Sequence, residues 1–161
     1  MKDKFVQAYM DVAKRFSLLS TAKRLQVGAI IVKDDRIISI GYNGMPSGWD
    51  NNCENTLFIT KDEAQGYNME GQGFTKTKNG NWTKLKSKPE VLHAESNAIA
   101  KLARSSESGK DAAIFVTHQP CLECAKLIFQ AGISSVYYST EYRLTNGVDF
   151  LNTAGVLIVK V

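Results

Sequence analysis

The stretch Ala113-Ile-Phe-Val-Thr117, continued by His118-Gln-Pro-Cys-Leu-Glu-Cys-Ala-Lys-Leu-Ile-Phe-Gln-Ala-Gly132 and then Val136-Tyr-Tyr-Ser139, decides the fold. Ala113–Thr117 is a short apolar, β-rich run and reads as a strand. Pro120–Ala131 reads as a helix: a proline at its start has no N–H to leave unpaired, and Gly132 stops it. Val136–Ser139 reads as the next strand. Working outward, Ala94, Ala98, Ile99, Leu102 and Ala103 suit a buried helix that ends in Ser105–Lys110. Downstream, a short helix around Val148–Thr153 leads through Gly155 to a last strand, Val156–Val159. Strands alternating with helices require a largely parallel sheet with helices on its faces.

Nearer the N-terminus, Phe5, Tyr9, Val12, Phe16 and Leu19 recur at helical spacing and predict one buried helical face. Gly28–Val32 and Ile37–Tyr42 flank the polar segment Lys33–Arg36 and read as a hairpin. Gly41-Tyr-Asn-Gly-Met-Pro-Ser-Gly48 packs turn formers densely and predicts a loop with unusual backbone angles. Residues 50–90 are polar and weakly periodic, an excursion from the core; loops this long are often functional or mobile.

Composition bounds the class. With 161 residues, 43% apolar and 22% charged, the chain suits one globular domain, 1–161, with a sizeable core. Its apolar runs are too short to span a bilayer, and residues 1–20 lack a signal-peptide profile. Two of the three cysteines are three positions apart, which favours a reducing compartment and metal or thiolate chemistry over disulfides. A soluble, cytoplasmic protein is the expectation. The net charge is +4, yet Gly71–Pro89 alone carries five lysines and no acid, leaving the rest near neutral. A nucleic-acid binder spreads basic residues over a docking face. Here they sit in one segment, read as a solvated loop or hairpin that Phe74 and Trp82 pin to the body.

Chemistry concentrates in two motifs, His93-Ala-Glu95 and Pro120-Cys121-Leu-Glu-Cys124, each predicted to open a helix. Cysteines three apart on a helix lie about 60° apart around its axis, so both sulfurs can face one ion. The positive helix end favours the thiolate that a metal needs. Two thiolates with one imidazole point to zinc, and three protein ligands leave a fourth position for water, as in catalytic sites. His93, Cys121 and Cys124 are therefore candidate ligands and Glu95 the candidate proton carrier. On a regular helix His93 and Glu95 would project about 200° apart, so the pairing works only at a helix start. Each motif alone is weak, since redox pairs and half zinc knuckles share Cys-x-x-Cys.

Together, in this order, the motifs match the zinc deaminase signature, and the chain resembles the cytidine deaminase superfamily. His93-Ala-Glu-Ser-Asn-Ala98, Pro120-Cys-Leu-Glu-Cys-Ala125 and the loop Gly41-Tyr-Asn-Gly-Met-Pro46 are similar to the deoxycytidylate (dCMP) deaminases. The resemblance implies a three-layer α/β fold, with a five-stranded mixed sheet flanked by helices. It implies hydrolytic loss of the 4-amino group of dCMP, giving dUMP for thymidylate synthesis, with one catalytic Zn²⁺ per chain and Glu95 shuttling protons. By the same resemblance Arg24 meets the phosphate, Asn43 the deoxyribose and the Ala94 N–H the base carbonyl, with Tyr142 a further phosphate or sugar contact. It also implies a second site at Gly41, Asn43, Gly44, Met45, Pro46 and Gly48 for dCTP, the activator, and dTTP, the inhibitor, with Mg²⁺ alongside. Homohexamers are the family habit. Two departures stand out: His118 either tunes the pocket or simply packs, and residues 50–90 offer Cys53 but no histidine for the second, structural zinc of some members. An RNA-directed deaminase of the same superfamily and a non-catalytic zinc module are the competing readings.

Overall fold

The computed structural model describes residues 1–142 and 144–161. Helix α1 (Asp3–Ser17) precedes the hairpin β1 (Gly28–Lys33) and β2 (Arg36–Tyr42). Its two-residue turn, Asp34-Asp35, has positive φ at both positions (49° and 56°), which matches the twist of paired strands. Then come β3 (Glu54–Ile59), β4 (Thr75–Lys76) and β5 (Trp82–Ser87), followed by α2 (Ala94–Leu102) and β6 (Ala113–His118). The chain finishes α3 (Leu122–Gln130), β7 (Ser135–Thr140), α4 (Asn146–Thr153) and β8 (Leu157–Lys160).

The main sheet runs β2-β1-β6-β7-β8. Its β6, β7 and β8 are parallel, joined through α3 and α4, whereas β1 is antiparallel to both β2 and β6. The sheet is thus mixed, five-stranded and covered by helices on both faces, as the resemblance implied. Central β6 is covered on both sides, so Ala113–Val116 are apolar without alternation and Thr117 is buried too. Ala29, Ile31, Ile114, Val116, Val136 and Tyr138 face α2, α3 and α4. Ile30, Val32, Ala113, Phe115 and Tyr137 face α1, with Phe115 and Tyr137 stacked at 4.5 Å between ring centroids. No helix among the described residues is long and apolar enough to cross a membrane.

Three expectations are corrected. The deepest face of α1 is Val6, Met10, Ala13 and Ser17, one residue round from the predicted stripe; Phe5 and Leu19 are exposed. Gly28 is the cause: a Cβ there would lie 2.6 Å from Ser17 N, so its absence lets the small-residue side of α1 sink onto β1. Helix α3 begins two residues later than predicted, with Cys121 as its extended N-cap and Pro120 outside. Residues 50–90 hold the expected hairpin, β4–β5, which β3 extends into a small antiparallel sheet, but Phe74 and Trp82 do not serve as the expected pins to the body. Both rings are engaged within the excursion, Lys76 over Trp82 and Lys84 over Phe74.

Candidate active site

The site forms where α2 and α3 start. His93 is the N-cap of α2 (φ −75°, ψ 157°), Cys121 caps α3, and Cys124 lies in the first turn of α3. The extended cap residues turn their side chains across the gap between the two helix ends. His93 Nδ1 lies 3.6 Å from Cys121 Sγ and 3.4 Å from Cys124 Sγ, and the three donor atoms all lie within 4.8 Å of one another. Tetrahedral zinc, with bonds of about 2.3 Å to sulfur and 2.0 Å to nitrogen, would set N and S about 3.5 Å apart. The donor set and its spacing therefore fit zinc.

Protonation follows the same geometry. The Cys121 thiol is held far down, at about 3, first by its hydrogen bond with Cys124 and then by that with His93. Cys124 is pushed the opposite way by the Cys121 sulfur and by burial. The hydrogen bond with Cys121 raises His93 above its ordinary value. Glu95, in the first turn of α2, is buried, and that burial lifts its carboxyl to about 7. A carboxyl poised there can both accept and return a proton near neutrality.

The position of α2 is fixed from beneath. Ser39 Oγ donates to Ala98 O at 2.7 Å, and Asn97 Nδ2 donates to Tyr42 O at 3.0 Å. Gly41 lies directly under the helix, where a Cβ would meet Ala98 N at 2.6 Å. Gly147, on α4, has the same relation to Pro120 and Cys121: a Cβ would lie 2.8 Å from the Cys121 carbonyl carbon. Both halves of the donor cluster are held by backbone-to-backbone contact at a glycine.

A cavity of about 490 Å³ opens on this cluster, and its wall includes His93, Glu95 and Cys121. The four expected substrate contacts, Arg24, Asn43, Ala94 and Tyr142, line it too. Asn43 uses its amide on the backbone ahead of β1: Oδ1 accepts from Val27 N (2.7 Å) and Nδ2 donates to Leu25 O (2.8 Å). Ala94 is the first residue of α2, so its N–H has no acceptor within the helix. Gln119 steadies the loop bearing Tyr142, accepting from Tyr142 N (3.4 Å) and donating to Leu144 O (2.9 Å). His118 also lines the cavity, its Nδ1 3.0 Å from Thr117 Oγ1, and burial lowers its pKa.

The loop expected to cradle a second nucleotide begins within β2. Gly41 is a strand residue, and Gly44 N donates to Leu92 O while its own carbonyl accepts from Leu92 N. Gly48 alone of the three glycines has a positive φ, 86°. Of the loop's expected site residues, Asn43 reaches the cavity wall; Gly41, Gly44, Met45, Pro46 and Gly48 are not part of it. Among the cavity residues missed by the sequence reading are Ser87 and Lys88, at the root of the excursion. Their closeness to His93 in the chain was the available signal. Cys53 is buried elsewhere, 3.4 Å from Thr21 Oγ1, and joins no donor cluster among the described residues.

Residues 2–140 match the family described as the cytidine and deoxycytidylate deaminase zinc-binding region. The deoxycytidylate deaminase of Enterobacteria phage T4 is 36% identical over 172 aligned positions, covering 94% of this chain and 87% of its own. The ComE operon protein 2 of Bacillus subtilis (strain 168) is 31% identical over 156, covering 96% and 70%. Among solved structures, the dCMP deaminase of cyanophage S-TIM5 in complex with dCMP and dUMP superimposes with a TM-score of 0.79. It is 40% identical, covering 100% of this chain and 99% of that one.

Proposed function

This chain belongs to the cytidine and deoxycytidylate deaminase family, and within that family we propose that it converts dCMP to dUMP and ammonia by hydrolysis. The observation that carries the reading is one cavity lined by the His93/Cys121 donor pair, a buried carboxyl poised near 7, and Arg24. The likeness over the full chain to a dCMP deaminase solved with dCMP and dUMP supports the choice of substrate.

Zinc held by His93, Cys121 and Cys124 would make water a nucleophile near neutral pH. Glu95 carries the protons, giving one to the ring nitrogen N3 and later one to the departing amine. Its burial keeps the carboxyl basic enough to take a proton and close enough to neutrality to return it. The unpaired Ala94 N–H meets the base carbonyl. Asn43 fixes the segment that presents Arg24 and lies beside the sugar, while Arg24 offers the phosphate a planar, bidentate fork. Tyr142 completes the wall as a further phosphate or sugar contact. Residues 1–161 act as one catalytic unit.

The finer reading is that dUMP feeds thymidylate synthesis, that the enzyme works as a homohexamer, and that dCTP with Mg²⁺ activates it while dTTP inhibits it. The second site uses the loop around Asn43, and Asn43 couples it to the substrate cavity. Titrating dCTP and dTTP during turnover tests this: activation by one and inhibition by the other are expected, and indifference to both rejects it. Ammonia release from dCMP, measured against deoxycytidine, with competing RNA and after chelation, tests the reaction itself. Zinc-dependent turnover favouring dCMP and untouched by RNA is expected. RNA-preferring or chelator-insensitive turnover rejects it.

A further inference from the structure

The excursion 50–90 returns to the core at one place, and there it grips Arg24 by both ends. Glu54, the first residue of β3, is 4% exposed, and its Oε1 accepts from the backbone N–H of Lys23 (2.9 Å) and of Arg24 (3.1 Å). Ser87, the last residue of β5, pairs with Glu54 in register, and its Oγ accepts from Arg24 Nη1 at 3.0 Å. Lys88 follows, its N–H bonded to Cys53 O, and its side chain has no ion-pair partner among the described residues. Arg24, Ser87 and Lys88 share the cavity wall with Glu95 and His93.

Glu54 is the unusual member. Its second oxygen, Oε2, is buried without a hydrogen-bond partner among the described residues. A buried, half-satisfied carboxylate is costly, so a packing role alone would be met better by an apolar residue. The two backbone bonds are what such a group supplies: they fix φ and ψ just ahead of the arginine, while Ser87 fixes its far end. An arginine already held loses little conformational freedom when it meets an anion. The excursion so brings an anchored guanidinium and an unpaired ammonium to one wall.

We propose that Glu54 is a positioning residue that presets Arg24 for the substrate's 5′-phosphate, so that the root of the excursion sets the preference for a nucleotide over a nucleoside. This rests on the dCMP reading above. Glu54 touches no reacting atom and acts through Arg24.

The test compares kcat/KM for dCMP with that for deoxycytidine in wild type, Glu54→Ala, Glu54→Gln, Arg24→Ala and the Arg24→Ala/Glu54→Ala double variant. Glu54→Ala is expected to lower the dCMP-to-deoxycytidine ratio by about tenfold or more, the range for losing bonds to a charged group. The loss should fall on KM and leave the double variant no worse than Arg24→Ala. Glu54→Gln retains an oxygen able to accept both N–H groups and should restore most of the ratio. If Glu54→Ala does not fold, Ser87→Ala, at an exposed position, removes the other half of the grip and should lower the same ratio by about threefold. Equal losses on both substrates, losses additive with Arg24→Ala, or no restoration by glutamine overturn the positioning role and leave the dCMP reading standing. A wild type that does not act on dCMP overturns that reading, and the phosphate role falls with it.

Discussion

Replacing Gly41 by alanine should separate the seat of the chemistry from the stability of the fold. The added Cβ would sit inside van der Waals contact of Ala94 O, 2.6 Å from Ala98 N and 3.0 Å from Ala98 Cβ. The atoms opposing it are mostly backbone, so no rotamer change relieves them. To reach ordinary separations, α2 must back away from β2 by about 1 Å, and a misplacement of that size can cost about 10²-fold in rate. The helix carries His93, Ala94 and Glu95, whereas Cys121 and Cys124 belong to α3 and would not follow. Overpacking of this kind costs about 1–3 kcal/mol, a fall in Tm of about 3–10 °C for a chain of this size. The matched control is Gly28→Ala, whose Cβ would meet α1 at nearly the same distances, 2.6 Å from Ser17 N and 3.0 Å from Ser17 Cα. Helix α1 holds no candidate site residue, so Gly28→Ala should lose similar Tm while kcat/KM stays within about threefold of wild type. Steady-state ammonia release and thermal unfolding, both at saturating zinc, read the two effects. Wild-type turnover in Gly41→Ala, or an equal loss of turnover in Gly28→Ala, would refute the claim that the β2–α2 contact sets the site.

Three further outcomes are expected. Glu95→Gln should lower kcat by about 10²–10⁴-fold, the scale of acid–base catalysis, with zinc content unchanged by metal analysis; loss of the metal would instead make Glu95 part of the binding site. Native mass spectrometry should count one zinc per chain in both wild type and Cys53→Ser, and two per chain would contradict the isolation of Cys53 from the donor cluster. His118 gives a pH signature: burial holds its pKa below the ordinary 6.5, so as pH falls through 6.5 the unfolded chain takes up the proton first and the fold loses stability. His118→Gln should flatten the acid limb of Tm against pH relative to wild type, and parallel curves would show that His118 contributes nothing to it.

The local features were legible in the sequence. Buried β6 shows itself as an uninterrupted apolar run, and the donor triad is readable because His93 and Cys121 each cap a helix whose start is written in neighbouring residues. What escaped depends on contact between distant segments. The buried face of α1 is rotated because a missing Cβ on Gly28 lets Ala13 and Ser17 approach, whereas a periodicity of bulky residues registers size and not proximity. The excursion's strands carry no clean apolar alternation to announce them; Lys76 on Trp82 and Lys84 on Phe74 are among their side-chain contacts, mixing cationic and aromatic residues. The bonds from Glu54 and Ser87 to Arg24 span 30 and 63 residues of chain, beyond the reach of any local pattern.

That long-range geometry also explains how the two tasks of the site can be separated. The groups proposed to handle the reacting atoms sit on two helix starts pressed against glycines, in a core with little freedom to adjust. Arg24, which we propose receives the remote phosphate of the substrate, is held by the root of a largely polar sheet separate from the five-stranded one. Binding energy gathered at a remote phosphate promotes reaction only if it holds the base in register with the catalytic groups. Asn43 provides such a link: it follows β2, directly after the strand beneath α2, and bonds to both Leu25 and Val27 beside Arg24. Shortening its amide reach, as in Asn43→Ala, should therefore raise KM and lower kcat together, whereas Glu54→Ala raises KM alone. A variant of Asn43 that changed KM without kcat would mean that the phosphate wall and the metal-site helices are coupled by some other contact.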